Sequence, residues 1–188
     1  MKDLLVFLAD GFEEIEALTV VDICRRAGLK VDTVSITDRY EVRGTHDVKV
    51  ISDKNFDEIN IEDYKAMYIP GGQPGATNLK KDKKVVECAN LFNDEEKKII
   101  AICAGPQVLD AANLLKENKF TCYPGVEESL KIKNPLDEAV VEDENIVTAM
   151  GPALAMLLGI KVVEILDSKE KAKEVAEGLL LPELKKFI

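Results

Sequence analysis

The sequence predicts an α/β protein: a doubly wound, mostly parallel sheet with helices on both faces. Three observations predict it. Short apolar runs alternate with stretches of helical periodicity, and that alternation builds a parallel sheet covered on both sides. Three of the runs end in unusual residues: Ala9-Asp10-Gly11, Pro70-Gly71-Gly72 and Cys103-Ala104-Gly105. Sheets of this type bind ligands beyond the carboxyl ends of their strands. Finally, no internal repeat and no linker rich in Pro, Gly or Ser divides the 188 residues, so a single domain over 1–188 is expected.

The elements follow in order. "LLVFLA" (4–9) reads as a buried strand. From Glu14 to Ala27 the pattern is helical, with Ala17, Val20, Val21 and Cys24 on one face and Gly28 as the stop. Residues 30–36 and 47–51 are expected strands, and "AMYIP" (66–70) a buried one. Residues 82–93 read as a helix, 98–102 as a strand and 106–115 as a helix. Strands are expected at 119–123 and 145–150. Gly151-Pro152 opens a helix to about Leu158, and 168–180 reads as a final charged helix.

Composition narrows the function. The formal net charge of -10 opposes sequence-independent nucleic-acid binding, which needs clustered Lys and Arg, and opposes docking on anionic membranes. The first apolar run is too short for a signal peptide and "GPALAMLLGI" too short to span a bilayer, so a cytoplasmic location is expected. Cys24, Cys88, Cys103 and Cys122 form no C-x-x-C pair, so no metal site is indicated by spacing and disulfides are not expected.

Cys103 carries the sharpest chemical signal. "AICAG" has the layout of a nucleophile elbow: strand, reactive residue, small residues, helix. Pro106 suits the first turn of that helix. Unpaired backbone N–H groups and the helix dipole there would favour thiolate. A buried structural cysteine is the competing reading. Glu13 and Glu14 read as complements to a helix dipole, whereas Glu16 lies beyond the first turn. If Glu16 points across the strand ends it meets Cys103, and burial beside an anion would keep its carboxyl protonated. Gly71 and Gly72 let backbone N–H groups approach a ligand, so that of one of them with that of Ala104 makes a candidate oxyanion hole. "YIPGGQPGATNL" lacks the G-K-[ST] ending of a phosphate loop. His46 is the only histidine, and it falls outside the three strand ends.

With these segments assembled, the chain resembles the ThiJ/PfpI superfamily, in the branch of the parkinsonism-associated deglycase and the bacterial ThiJ and YajL proteins. The resemblance rests on "DGFEEIEA", "RRAGLKV", "YIPGGQPGATNL", "AICAGPQVL", "FTCYPGV" and "VTAMGPA", in the family's order. It implies a flavodoxin-like fold and a homodimer. It also implies Cys103 as the elbow cysteine, Glu16 as its carboxyl partner, and Gly72 and Ala104 as oxyanion donors. Gly71, Tyr123 and Met150 fall at the pocket, and Arg26 and His46 near the dimer interface. The departures are as informative. Ala104 stands where the protease-like branch has a histidine, Tyr123 where the deglycase branch often has one, and Met150 replaces an arginine. Intramolecular Cys–His peptidase chemistry is therefore unsupported.

The function implied is cofactor-independent chemistry on α-oxoaldehydes such as methylglyoxal and glyoxal, or on their glycated adducts. Cys103 would be the nucleophile and Glu16 the proton carrier of a glyoxalase or deglycase. The alternative is an oxidation-sensing protein or redox-regulated chaperone whose Cys103 becomes sulfinic acid.

Overall fold

The computed structural model describes residues 1–115 and 119–187. Its first strand, β1 (Lys2–Leu8), is followed by α1 (Glu14–Arg26) and β2 (Val31–Ser35). A small antiparallel hairpin comes next, β3 (Glu41–Arg43) with β4 (Lys49–Ile51), and then the two-residue β5 (Lys54–Asn55). β6 (Tyr64–Ile69) precedes α2 (Gly75–Lys81) and α3 (Lys83–Asp94). β7 (Lys98–Ile102) runs into α4 (Pro106–Ala111). β8 (Val140–Asp143), β9 (Ile146–Ala149), α5 (Ala155–Leu166) and α6 (Lys169–Gly178) complete the order.

The main sheet has the strand order β5-β2-β1-β6-β7-β9-β8. Every pairing in it is parallel except that of the edge strand β8 with β9. The alternation of side chains along each strand explains why both faces are covered. Leu4, Val6, Leu8, Ile100 and Ile102 face the layer made by α1, α5 and α6. Leu5, Phe7, Ala9, Ile99 and Ala101 face the layer made by α2, α3 and α4. The strand order reverses beside β1, since β2 lies on one side of it and β6 on the other. At that switch point the turns after β1 and β6 meet, and crevices of this kind are where such folds place ligands.

Several expectations change. The segment 119–123 is not a strand. Both edges of β9 are already paired, so the segment makes no ladder with it: Thr121 N–H donates to a β9 side chain, Thr148 Oγ1 (2.9 Å), and Tyr123 N–H to the Cys103 carbonyl (3.1 Å). The helix expected at 106–115 stops at Ala111, and the one expected to end near Leu158 runs on to Leu166. β3, β5, α2 and β8 were not expected. α2 follows directly on a Gly-Gly-Gln-Pro stretch whose composition reads as a turn. Among the described residues no helix is long and apolar enough to cross a membrane.

Candidate functional site

Cys103 sits between β7 and α4 with φ of 59°, in the left-handed region that costs a non-glycine residue about 1–3 kcal/mol. Its neighbours hold it there. Its N–H donates to the Ala149 carbonyl (2.9 Å), and its own carbonyl accepts from Tyr123 N–H (3.1 Å). Gly105 permits the turn, because a Cβ there would lie 2.5 Å from the Ile69 carbonyl. The thiol is half-buried.

Glu16 reaches the same point from α1. It is fully buried, and its Oε2 accepts from Gly71 N–H at 2.7 Å. The Tyr68 hydroxyl donates to the Glu16 carbonyl (3.0 Å), which fixes this turn of helix against β6. Gly71 is the meeting place. A Cβ on it would stand 2.6 Å from Glu16 Oε2 and 2.8 Å from both Ala104 N and Cys103 Cβ. Carboxyl, thiol and candidate N–H donor therefore converge where no side chain fits. Glu16 Oε1 is buried without a hydrogen-bond partner, so no well-aligned bond joins it to Sγ, yet the thiol lies close enough to alter its proton affinity.

Burial pushes the Glu16 pKa up to about 7. The Cys103 thiol and the Gly71 N–H oppose that rise, and the charge on Glu13 adds to it. Burial also pushes the Cys103 thiol up, reinforced by the Glu16 carboxylate, while the N–H groups of Ala104 and Gly72 pull it down. Expectation needs correcting here: the elbow alone does not yield an acidic thiol. Desolvation outweighs the backbone donors, and α4 is only six residues long. What the site supplies is a coupled pair. With Glu16 ionised, two adjacent anions are opposed; with Glu16 protonated, the repulsion on a thiolate disappears. Moving one proton from sulfur to carboxyl leaves the net charge unchanged. Cys24, Cys88 and Cys122 are buried, with pKa values raised by burial to about 12, 12 and 11.

The remaining candidates divide. Gly72 has φ of +87° and its N–H faces the Cys103 sulfur, as does that of Ala104. Tyr123 and Met150, with Pro124, Pro152 and Leu154, line a shallow apolar groove of about 280 Å³. It adjoins Cys103 through the Tyr123 N–H bond. Arg26 does not reach this point: it ends α1, ten residues beyond Glu16, and pairs with Asp22 (2.6 Å). His46 does not reach it either. Its exposed ring meets Glu14 (Nδ1 to Oε2, 2.9 Å), whose hydrogen bond holds the imidazole pKa above its ordinary value.

Sequence reasoning missed the role of Glu14. It is a buried carboxylate that accepts from His46 N–H (2.7 Å) and so ties the β3–β4 hairpin to α1. A hydrophobic-periodicity reading assigns Glu14 to the helix start and carries no signal for a contact 32 residues away. Among the described residues, Glu13, Glu14 and His46 form the one group of three or more His, Cys, Asp or Glu side chains with ligand atoms within 4.8 Å of one another. Their oxygens and Nδ1 are engaged with each other.

A half-buried cysteine on a strained strand-to-helix turn, with a buried carboxyl across a glycine, defines a cysteine-elbow protein of the doubly wound α/β class. The chain belongs to the DJ-1/PfpI family, whose model matches residues 2–165. It is 32% identical over 182 residues to Protein dj-1beta of Drosophila melanogaster, covering 96% of this chain and 97% of that protein. It is 30% identical to the Parkinson disease protein 7 homolog of Danio rerio, with 96% and 97% covered. Among solved structures, oxidized Toxoplasma gondii DJ-1 superposes with a TM-score of 0.90 at 34% identity, covering 96% of this chain and 98% of that one.

The Glu16 shift makes a stability prediction. Folding raises this carboxyl from 4.5 to about 7, so between those values the folded state binds more protons than the unfolded one. Stability then falls as pH rises through that window, by a total of about 3 kcal/mol, and the cost is fully present above pH 7. Urea unfolding from pH 4 to 8 should show the Glu16→Gln variant gaining on the parent across the window. A constant difference between the two proteins would contradict the assignment.

Proposed function

We propose that this protein is a cofactor-independent, cysteine-dependent enzyme acting on α-oxoaldehydes such as methylglyoxal and glyoxal, or on their adducts with amines and thiols. The observation that carries the reading is the coupled pair: a thiol under two backbone N–H groups, beside a buried carboxyl that exchanges its proton near pH 7. General acid–base groups work best when their pKa lies near the working pH.

The steps balance for methylglyoxal. The Cys103 proton passes to Glu16 as sulfur forms a bond to the aldehyde carbon. The carbonyl π electrons move to oxygen, where the N–H groups of Ala104 and Gly72 receive the charge. Glu16 returns the proton, giving a hemithioacetal. Its carboxylate then removes the hydrogen on the former aldehyde carbon, giving an enediolate, and delivers it to the neighbouring carbon. A proton shift between the two oxygens leaves a thioester of Cys103. Water cleaves the thioester to lactate and restores the thiol. A deglycase would apply the same addition and hydrolysis to an amine or thiol adduct.

The groove explains why turnover should be modest. Its lining residues include no histidine and no carboxylate, and Tyr123 offers a phenol, which donates a hydrogen bond but relays protons poorly at neutral pH. General acid–base help is typically worth about 10²–10⁴-fold in rate.

A second reading has its own support. The unpartnered Glu16 Oε1 and the two N–H groups around sulfur suit the oxygens of a sulfinic acid. Two equivalents of peroxide would each deliver one oxygen and leave as water. A structural relative is itself described as oxidized.

We further propose a cytoplasmic homodimer. Ile15 on α1, Val48 and Ile51 on the hairpin segment and Leu157 on α5, which packs on α1, are all exposed apolar side chains. Light scattering at micromolar concentration should give twice the 20.8 kDa chain mass; a monomer would refute the dimer.

Lactate formation from methylglyoxal tests the enzyme reading. We expect a low rate in the parent, none in Cys103→Ser, and a higher rate in Tyr123→His that is lost again when Glu16→Gln is added. No Cys103-dependent lactate in the parent and none gained in Tyr123→His would end this reading. Mass spectrometry of peroxide-treated protein would then decide for oxidation sensing if sulfinic acid forms at Cys103 and the product changes in Glu16→Leu.

A further inference from the structure

The Gly72 N–H can serve Cys103 only if its peptide is held at one angle. Gly72 lies in the left-handed region and has no Cβ to restrict it, so its neighbours must do so. Three consecutive carbonyls each accept one hydrogen bond. That of Gly71 accepts from Glu13 N–H (3.0 Å) and that of Gly72 from Ala76 N–H (2.9 Å). The third, of Gln73, accepts from the Thr45 hydroxyl (2.8 Å). The first two bonds are backbone to backbone, so only the third comes from a replaceable side chain.

Thr45 lies on the connection between β3 and β4, remote in sequence from every residue around Cys103. Its position is fixed twice. Its N–H donates to the Phe12 carbonyl (2.8 Å), and Gly44 pairs with Phe12 as an isolated parallel bridge. Beneath the same turn lies the Glu14 carboxylate, packed so closely on Gly44 that no Cβ fits there. Glu14 Oε1 accepts from His46 N–H (2.7 Å) and Oε2 meets His46 Nδ1 (2.9 Å). The first turn of α1 thus carries both Glu16, which faces the thiol, and Glu14, which anchors the hairpin.

We infer that Thr45 is a positioning residue for Cys103 and Glu14 its anchor: the hairpin, through the Thr45 hydroxyl, holds the 71–73 segment so that the Gly72 N–H stays aimed at the sulfur. The inference rests on Cys103 being the reacting group, but not on any particular substrate.

The test is alkylation of Cys103 by iodoacetamide across pH, quantified by peptide mapping, with buried Cys88 as internal reference. Thr45→Val keeps the shape and loses the hydroxyl. It should slow Cys103 alkylation at pH 7 by about three- to tenfold, the scale of a weakened hydrogen bond to a charged group, and move the apparent thiol pKa upward. Thr45→Ser should stay within about twofold of the parent, since it restores the donor. Thr45→Ala, with no branched methyl to misplace, should lose as much as Thr45→Val. Glu14→Gln should slow the reaction too, and the double variant with Thr45→Val should fall short of the product of the two effects. Parent-like alkylation in Thr45→Val overturns the inference. So does an equal loss in Thr45→Ser, a loss in Thr45→Val alone, or a loss matched by new reactivity of Cys88. Alkylation involves no turnover, so absent lactate formation would sink the enzyme reading and leave this one standing, and parent-like Thr45 variants would do the reverse.

Discussion

Everything at this site depends on a carboxyl and a thiol being pressed together across one glycine. Gly71 leaves a space bounded by Glu16 Oε2, Ala104 N and Cys103 Cβ, each within 2.8 Å of where a Cβ would be. A side chain there would push α1 away from the β7–α4 turn. The sheet supplies the setting, because its strand order reverses at β1 and brings the turns after β1 and β6 to one crevice. β7 then delivers Cys103 to the same end, two strands away from β1.

The energetics of that contact favour chemistry over stability. A buried carboxyl costs free energy when it ionises, and a strained cysteine costs a further about 1–3 kcal/mol. The cost is carried by the apolar layers on both faces of the sheet, in which Leu4 to Leu8 are fully buried. In return, two groups that both resist ionisation share one crevice, so ionising both together is opposed. Neither the backbone donors nor the short α4 makes the thiol acidic alone; the carboxyl across Gly71 decides where the charge resides.

Much of this was legible in the sequence, for physical reasons. β1, β6 and β7 read as strands because both of their faces are buried, leaving unbroken apolar runs. Cys103 stands out in the sequence because a strand ending in Cys-Ala-Gly-Pro admits few backbone paths. Glu16 reads in the sequence as lying beyond the first turn, but α1 begins at Glu14 and so holds Glu16 in its first turn; its place beside Cys103 comes from the fold and not from that spacing. Other features left no local trace. The 119–123 segment has strand-like residues, but β9 had no free edge to offer it. α2 begins in a Gly-Pro-rich stretch and exists because it packs on α3 and α4. Glu14 and Thr45 owe their roles to contacts with residues 32 and 28 positions away, which no window of sequence contains.

The central claim is that burial keeps the Glu16 carboxyl, beside Cys103, protonated to near neutrality. Its carbonyl stretch in difference infrared spectra, parent minus Glu16→Gln across pH 4 to 9, reports that proton directly. A protonated-carboxyl band that disappears with a midpoint at about 7 is the result the structure predicts. A band already lost near 4.5, the ordinary value for this group, would contradict it.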